Sequence, residues 1–508
     1  MHFREISDKY MGFNGIDIDL GKQIHKLLLL DILIFVISMD NVILANEDNH
    51  LDKEKNIESM KEIINMVPQK YYADILYDSL AKTSIKKSQS GDIISIPHSR
   101  GYVFRIFNGK RFTEVADSNI ISLKRHVKKL LSNVPHYHNI VLRRFEPNHI
   151  DVEIPMKKDI SQIPINKKID KIHKIYSIIQ DLDDSLINTI ISYQDTLLKR
   201  IFLNTEGSVM RQVIPRTRIL VQPIVKVNHV RDFDYLLMSH EGGFEIIDKL
   251  GFEKLSELVK SSKMLCTADS APTGKMPVIL DPSMSGLIAH ESFGHGLEAD
   301  QFIRERSFLI PFLDKKIAGE CVNISDSAVE EGVIGTYVFD DEGIVAKKTR
   351  LVENGVLSNL IHNRMTSTLM DSVPHGNGRR ESFLNPIYPR MSNTFFEPGS
   401  YDLDEMIQET KEGIYLLNGF YGKEDPLGGS INCSSRKAYM IEDGEITKLL
   451  KGASINGDLL EFFQSIIGSS KEDVVFDGGI CGKGIEDHIP ITSGGVHIKS
   501  EGAFINPI

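Results

Sequence analysis

The chain has 508 residues, of which 41% are hydrophobic and 25% are charged, a composition typical of a water-soluble protein with enough apolar mass for two or three cores. Its 59 lysine and arginine residues against 70 aspartate and glutamate residues give a formal charge of −11, and no long basic run offsets it, which argues against a nucleic-acid partner. The four cysteines (Cys266, Cys321, Cys433 and Cys481) form no CxxC pair, which argues against a secreted disulfide scaffold and favours a cytoplasmic location.

The N-terminal segment contains an apolar run at residues 27–39 that Asp31 interrupts. It is shorter than the roughly 20 apolar residues of a membrane-spanning helix, and it lacks the small-residue cleavage site of a secretory signal. We therefore predict a buried strand or helix and no membrane association. The charged residues 46–58 predict a solvated linker. Residues 1–56 are assigned as an N-terminal extension of unclear status.

Two segments that follow have the composition of strands. Residues 71–79 and 101–112 contain the β-branched and aromatic side chains that strands favour. The second contains Asn108-Gly109, a strong signal for a β-hairpin. We therefore expect antiparallel sheet here.

Residues 120–131 and 169–197 have apolar side chains at the three- and four-residue spacing of amphipathic helices. With the preceding strands, the first of these helices completes a predicted N-terminal α+β domain at residues 57–135.

A central helical and strand region is predicted at residues 136–270. A Thr-Glu-Gly turn after Asn204 joins two apolar runs, and residues 218–227 predict a strand. Pro223 places that strand at a sheet edge or a bulge, because proline cannot donate a ladder hydrogen bond. Residues 244–264 predict another helix.

The C-terminal region, residues 271–508, alternates short apolar runs with turns of the Asp-Gly and Asn-Gly type, as in Glu353-Asn354-Gly355. This pattern predicts a β-rich region with one or two functional helices. The fold class is therefore α+β: a multi-domain, antiparallel-sheet-rich protein with an α/β N-terminal half and a β-rich C-terminal region.

The sharpest motif of the chain is HESFGH, at residues 290–295. Asp281 is a good N-cap and Pro282 suits the first helical position, so a helix is predicted to start directly after a strand. On that helix His290 and His295 bracket Glu291. Two imidazoles beside a carboxylate are a common way to bind zinc and activate water. The alternative is one core histidine and one surface histidine.

The five-residue spacing of the two histidines is unusual for a metal site. On a regular helix it leaves the rings about 140° out of line and about 7.5 Å apart along the axis. Chelation of one ion therefore requires a π-type bulge or a break near Gly294, which lacks a side chain. We predict such a distortion between Glu291 and His295.

A catalytic zinc site usually has three protein ligands and leaves a fourth position for water. Cys481, in the glycine-rich segment DGGICGKG, is the best of several candidates for the third ligand. The others are His375, His488, His497 and the carboxylates near Asp340.

Two acidic residues after the histidines could orient the imidazole rings. Glu298 and Asp300 are candidate acceptors for ring N–H groups.

Residues 375–394 contain two glycines followed by Arg379, Arg380 and Glu381. This loop could bind a carboxylate or a substrate backbone. A tight turn with an internal arginine–glutamate pair is the equal alternative.

Taken together, these motifs resemble the TldD/PmbA family of metalloproteases, and specifically its catalytic TldD branch. The resemblance covers the chain from about Lys61 nearly to its end, with blocks in the family's order. The blocks are YYADILY (71–77), NTEGSVMRQ (204–212), HESFGHGLEAD (290–300), TYVFDDEG (336–343), LVENGVL (351–357), GNGRRESF (376–383), PRMSNT (389–394), AYMIEDGEI (438–446), LLKGASINGD (449–458) and CGK (481–483).

The resemblance implies a C-terminal metalloprotease region with one zinc ion per subunit, held by His290, His295 and Cys481, and with Glu291 as general base. It implies hydrolysis of unfolded or extended peptides by zinc-activated water. It also implies a homologous partner subunit of the TldE/PmbA type, or a homodimer. The family usually has a Gly-Gln pair after CGK, where this chain has the segment 484–487 (GIED).

Two other functions are compatible with the motifs. One is a metal-dependent hydrolase of small molecules, which an intact HExxxH motif also permits. The other is a non-catalytic partner or scaffold subunit, which would be expected to lose Glu291 first. The presence of Glu291 favours an enzyme.

Overall fold

The computed structural model describes residues 50–508, with side chains from residue 53 onward except that of Asp487. The apolar run at residues 27–39 lies outside the described residues. Contacts divide the chain into two units, Met1–Ser59 and Met60–Ile508.

The first described element is helix α1, His50–Ile64. It occupies most of the segment for which the charge pattern predicts a solvated linker, so that prediction is wrong for the described residues. Met60 and Ile63 in its last turns are fully buried. Hydrophobic packing of those turns therefore supports a helix in a segment whose charge pattern alone suggests a linker.

The N-terminal half of the second unit is built on a nine-stranded sheet. Its strands are β1 Tyr72–Ser88, β2 Gly91–Ser95, β3 His98–Phe107, β4 Phe112–Asp117, β5 His149–Glu153, β6 Leu186–Asn204, β7 Val209–Val227, β8 Val230–Phe233 and β9 Leu236–Glu241. The main order is β4-β3-β1-β6-β7-β5, with β2 beside β1 and with β8 and β9 beside β7. Only the β5–β7 pair is parallel. The expected antiparallel sheet is thus confirmed.

Local turn chemistry explains two of the hairpins in this sheet. β3 and β4 pair antiparallel around the predicted Asn108-Gly109 turn, where Gly109 has a φ of 85°. β6 and β7 join at the predicted turn after Asn204, where Gly207 has a φ of 100°. Glycine adopts these positive φ values without the clash of a side chain.

Pro223 lies where the outer neighbour of β7 changes. Val221 pairs with Leu236 of β9, and Ile224 pairs with Phe233 of β8. Between these pairings Pro223 faces no ladder partner on that side among the described residues. The predicted edge position therefore holds locally at this proline, although β7 as a whole lies inside the sheet.

The predicted helix at residues 169–197 is wrong in its second half. The helix α3, Ile165–Gln180, ends there, and the 19-residue strand β6 begins at Leu186. β6 lies between β1 and β7 and alternates buried with half-buried residues. The apolar residues of this segment fit the spacing of a helix as well as that of a strand. Pairing with the neighbouring strands therefore decides its conformation.

Three of the described helices pack against this sheet. The predicted helix at residues 120–131 is confirmed as α2, Ile120–Asn133, and the one at 244–264 consists of a 3₁₀ turn, Phe244–Lys249, and helix α4, Phe252–Leu265. Helices α3 and α4 pack on the sheet in one hydrophobic cluster that includes Ile172 and Val259.

The C-terminal half contains the remaining strands and several short helices. The strands are β10 Gly274–Leu280, β11 Ile324–Ser327, β12 Lys348–Glu353, β13 Val356–Leu357, β14 Gly378–Arg379, β15 Tyr388–Pro389, β16 Asn393–Phe396, β17 Glu412–Glu424, β18 Ser430–Glu442, β19 Glu445–Lys451, β20 Ala453–Asp458, β21 Ile466–Ser469, β22 Val475–Lys483, β23 Glu486–Gly495 and β24 Ile498–Pro507. The α-helices are α5 Pro282–Ala289, α6 Ala299–Ile303, α7 Arg364–Leu369, α8 Leu403–Gln408 and α9 Leu459–Gln464. The predicted β-rich plan is confirmed.

Two sheets of this half enclose helix α5. One has the order β10-β17-β18-β20-β24-β21, and the other has the order β13-β12-β11-β16-β23-β22. Helix α5 packs against β17 of the first sheet and against β22 and β23 of the second. Its approach is close, because a Cβ on Gly286 would lie 2.7 Å from the backbone nitrogen of Gly494 in β23. The helix is thereby held between the two sheets.

Buried ion pairs connect the N-terminal sheet to the loop of residues 336–344. Arg105 of β3 contacts Asp74 and Glu342, with a shortest distance of 2.8 Å to the latter. Arg200 of β6 contacts Asp341 at 2.6 Å. These charges are almost fully buried and are paired with opposite charges, as burial requires.

The predicted boundaries at residues 135 and 270 remain predictions. The N-terminal sheet takes strands from both sides of residue 135. Among the described residues, no helix combines the length and apolarity needed to cross a bilayer.

Candidate metal centre

The HESFGH motif lies at the end of helix α5. As predicted, the helix begins directly after β10: Asp281 accepts a hydrogen bond from the backbone of Met284, and Pro282 occupies the first turn. The cap and the proline together fix where the helix starts, and so which residues reach its C-terminal end.

The predicted distortion between Glu291 and His295 is confirmed. Residues His290–Gly294 form a π-helical turn, in which the backbone N–H of His295 donates to the carbonyl of His290. A 3₁₀ turn, His295–Leu297, follows. The centroids of the two imidazole rings are consequently only 5.2 Å apart.

Gly294 is required by close packing at this turn. A Cβ at this position would lie 2.0 Å from the sulfur of Met391, which is fully buried. The glycine therefore allows the π turn to lie against the second sheet.

Cys481 on β22 reaches the same point from a distant part of the chain. Its Sγ lies 3.0 Å from Nε2 of His295. One donor atom from each of His290, His295 and Cys481 lies within 4.8 Å of the others. The structure thus brings together the three residues that the family resemblance implies as ligands.

The other candidates for a third ligand have partners elsewhere. Nδ1 of His375 lies 2.8 Å from the hydroxyl of Thr349, and Nε2 of His497 lies 3.0 Å from the hydroxyl of Tyr415. Asp340 accepts hydrogen bonds from backbone N–H groups of its own turn. His488 is exposed, and its Nδ1 lies 3.4 Å from Oε1 of Glu381.

Electrostatics at the cluster favour a thiolate. Burial alone would raise the pKa of Cys481, but His290 and His295 lower it to about 5. Reciprocally, the Cys481 charge raises the pKa of His290 against the opposing effect of burial. A thiolate beside two imidazoles is a donor set suited to a soft or borderline divalent metal.

Glu291 is half-buried and faces strand β17. A Cβ added to Gly422 would lie 2.5 Å from Cγ of Glu291, so the absent side chain at 422 leaves room for the carboxylate. Burial raises the pKa of Glu291, the two histidines lower it, and the neighbouring Glu424 raises it. Sequence reasoning missed Glu424, since no motif marks it.

A buried charge network surrounds His295. Oε2 of Glu298 lies 3.7 Å from Nδ1 of His295 and 2.9 Å from Nζ of Lys483, which also contacts Asp300 at 2.6 Å. Burial opposes ionisation of Glu298, but Lys483, His295 and Arg390 lower its pKa to about 2. The predicted position of Glu298 beside the imidazole is confirmed, and Asp300 instead binds Lys483.

The arginines of residues 375–394 contact carbonyl groups and a glutamate of another strand, and binding of a carboxylate or substrate backbone by this loop stays a prediction. Arg379 donates to the carbonyls of Met391 and Pro490. Arg380 is almost fully buried, pairs with Glu114 of β4 and also donates to the carbonyl of Asn385 in its own loop. These arginines therefore fasten the loop to neighbouring elements, because buried guanidinium groups require partners.

Comparison with known proteins gives matches over most of the chain. A family model described as the PmbA/TldA metallopeptidase C-terminal domain matches residues 273–493, and one described as the PmbA/TldA metallopeptidase central domain matches residues 158–262. A metalloprotease of Methanocaldococcus jannaschii is 32% identical over 88% of this chain and 98% of its own length. A protein of Saccharolobus solfataricus named as a zinc metalloprotease TldD homologue is 25% identical over 84% of this chain and 95% of its own length.

The fold is also found in solved structures. TldE from Thermococcus kodakarensis superposes with a TM-score of 0.71 at 16% identity, covering 88% of this chain and 99% of its own. At that identity the likeness establishes the architecture.

Proposed function

The chain belongs to the TldD/PmbA family of metalloproteases, and we propose that it is a zinc-dependent peptidase that hydrolyses unfolded or extended peptides. One observation carries the proposal. His290 and His295, brought together by a π turn, meet the thiol of Cys481 from a strand almost 190 residues away, with Glu291 beside them.

The donor set of this cluster fits a zinc ion. Ligands at roughly 2.0–2.3 Å from one tetrahedral ion lie about 3.3–3.8 Å apart, a spacing that donor atoms within 4.8 Å of each other reach by small side-chain rotations. His290, His295 and Cys481 would hold one ion per chain and leave a position for water. Bound there, zinc would polarise the scissile carbonyl and make water a better nucleophile.

Glu291 is proposed as the general base. Its position next to His290 places its carboxylate at the edge of the cluster, where it can take a proton from the attacking water. Burial of Glu291 and its proximity to Glu424 both raise its pKa, which strengthens it as a proton acceptor.

Two strand edges beside the cluster support a peptide substrate. β17 pairs with β10 only at Ile414–Leu416, so its residues 420–424 have β18 on one side and no described strand on the other. β22 is the outer strand of its sheet. An extended peptide can add to such an edge through main-chain hydrogen bonds, with little selection of side chains.

We propose that the protein acts with a second chain. The solved relative TldE and the relatives named TldD homologues support a homologous partner, with a homodimer as the alternative. We also propose a cytoplasmic location, because all four cysteines are free.

A small-molecule hydrolase and a non-catalytic subunit remain the competing functions. The open strand edges favour a peptide over a small molecule. The complete set of Glu291, both histidines and Cys481 favours an enzyme over a scaffold.

The substrate class is tested with one protein substrate in a native and a destabilised form. We expect cleavage of the destabilised form to be faster by about tenfold or more, because cleavage at a strand edge tracks the population of unfolded chain. Each form is incubated with the zinc-loaded protein, with and without a co-expressed homologue, and products are followed by mass spectrometry.

Equal rates for the two forms would contradict an extended-peptide substrate. Full activity of a demonstrated monomer would contradict the need for a partner chain.

A further inference from the structure

A cavity of about 360 Å³ lies at the start of helix α5, at the opposite end of the helix from the histidines. Its wall comes from several elements, including Asp234, Tyr235, Leu237, Ser283, Asn418 and Asp477. Three of these residues lie on the elements that also form the metal centre: Ser283 on α5, Asn418 on β17 and Asp477 on β22.

The distance from this cavity to the metal centre follows from regular geometry. Asp477 precedes Cys481 by four strand residues, or about 13 Å. Ser283 precedes His290 by seven helical residues, or about 10 Å. An extended peptide advances about 3.3 Å per residue, so three or four residues span the interval.

One face of β22 leads from the cavity to the cluster. Residues 477, 479 and 481 share a face, because side chains alternate along a strand. Gly479 contributes no side chain between the carboxylate of Asp477 and the thiol of Cys481. At Gly478 the opposite face is covered, since a Cβ there would meet Ser239 of β9 at 2.1 Å.

Residues at the cavity occupy the backbone hydrogen-bonding groups of β17 where its free edge begins. The hydroxyl of Tyr235 donates to the carbonyl of Gly419 at 2.7 Å, and its ring packs on Phe420 with centroids 6.0 Å apart. The backbone N–H of Asn418 and that of Gly419 donate to side chains of Asp281 and Ser283. Residues 418 and 419 of β17 are therefore not free to pair with a bound peptide. A peptide paired with residues 420–424 would leave the strand at this point, and its end would turn into the cavity.

The buried carboxylates at this end of helix α5 differ in their partners. Asp234 is paired with Lys437 at 2.7 Å. Asp281 accepts from the backbone of Met284 and of Asn418. Asp477, in contrast, is hydrogen-bonded to the hydroxyl of Ser283, and no described cation pairs with it.

Burial raises the pKa of Asp477, a sign that its charge is poorly solvated. At the mouth of the cavity, Lys254 and Glu257 lie one turn apart on α4, and their exposed charges offset each other. Lys437 also lines the cavity, but Asp234 neutralises it, so the unpaired charge of Asp477 favours a positive ligand.

We propose that this cavity is a subsite for a cationic group of the substrate, with Asp477 as its counter-ion. The group is an ammonium or guanidinium three or four residues from the scissile bond, either the peptide's own α-ammonium or a lysine or arginine side chain. The inference rests on the proposed peptidase function for its substrate, and it adds a preference that strand pairing alone does not provide.

Binding is measured with the full-length Glu291→Gln protein, prepared with its partner chain if one is required, so that peptides stay intact. Four fluorescent octapeptides share one alanine-rich sequence: one with a free α-ammonium, one acetylated, and two acetylated with lysine or norleucine at the fourth residue. Dissociation constants come from fluorescence anisotropy. We expect acetylation to weaken binding by about tenfold, as for loss of one partner of a partly buried charge pair.

The lysine arm distinguishes the two sources of charge. Recovery of affinity with lysine but not with norleucine identifies a side-chain cation as a ligand, and affinity of the free-amine peptide alone identifies the α-ammonium. In either case the Asp477→Asn substitution should remove the difference between charged and uncharged peptides, and Asp477→Glu should retain part of it. The matched control is Asp473→Asn, an exposed aspartate four residues earlier.

Equal affinity for all four peptides would overturn the proposal, and so would an equal effect of Asp473→Asn and Asp477→Asn. The peptide comparison in the Asp477-containing protein needs no folded Asp477 variant. Hydrolysis is measured separately on the protein with Glu291. If the charge preference is present but no peptide is cleaved, the peptidase function fails and the cationic subsite stands.

Discussion

Replacing Glu291 by glutamine should lower peptide hydrolysis by about a hundredfold or more, the loss expected when a general base is removed. The amide cannot accept a proton, but it has almost the same size as the carboxylate. His290, His295 and Cys481 are unchanged, so bound zinc should remain at the level of the unmodified protein. Turnover of a quenched peptide and zinc content are measured on the same preparation.

Glu305→Gln provides a matched control for this substitution. Glu305 is an exposed carboxylate shortly after the motif, and its replacement should leave the rate unchanged. Undiminished turnover by the Glu291 variant would exclude its role as base. A parallel loss of zinc would instead assign Glu291 to metal retention.

Replacing Cys481 by serine should remove most of the bound zinc and with it most of the activity. A thiolate is a far better zinc ligand than a hydroxyl, and His290 and His295 lower the pKa of this thiol to about 5, so it is ionised at neutral pH in the metal-free protein. Metal content is measured after dialysis against a weak chelator, together with the rate of hydrolysis.

Cys321→Ser is the matched control, since Cys321 is a half-buried free thiol whose sulfur faces the carbonyl of Ile466. It should retain full zinc. If the Cys481 variant also retains full zinc, another residue is the third ligand and the donor set proposed here is wrong.

Local chemistry made much of this architecture predictable from sequence. The cap at Asp281, the proline at 282 and the five-residue histidine spacing together specify where helix α5 starts and where it must distort. Turn signals such as Asn108-Gly109 act over a few residues and depend little on the rest of the chain. Features that depend on a few neighbouring residues can therefore be predicted from the sequence.

Features that depend on distant partners were not predictable in the same way. The residues 186–197 have a spacing that suits a helix, and they form a strand because β1 and β7 lie on either side. Glu424 approaches Glu291 only because β17 packs on helix α5. The same holds for the cavity around Asp477, whose walls come from six separate segments of the chain.

Some residues of the metal centre were predictable from local sequence, and others were not. The HExxxH motif identifies His290, Glu291 and His295 by local spacing, whereas Cys481 was one of several candidates until the family resemblance pointed to it. Lys483 follows Cys481 in the sequence, but its ion pair with Glu298 requires β22 to lie beside the motif. Long-range pairing of strands therefore completes a site that a short motif begins.

The most direct measurement is a zinc titration of metal-free protein, with peptide cleavage as the readout. A chelator removes the metal, zinc is added back in known amounts, and the cleavage rate of an unfolded peptide is recorded at each step. One catalytic ion per chain predicts a rate that rises linearly and saturates at about one equivalent. Cleavage that persists in the metal-free protein, or stoichiometric zinc binding without any cleavage, would contradict the account.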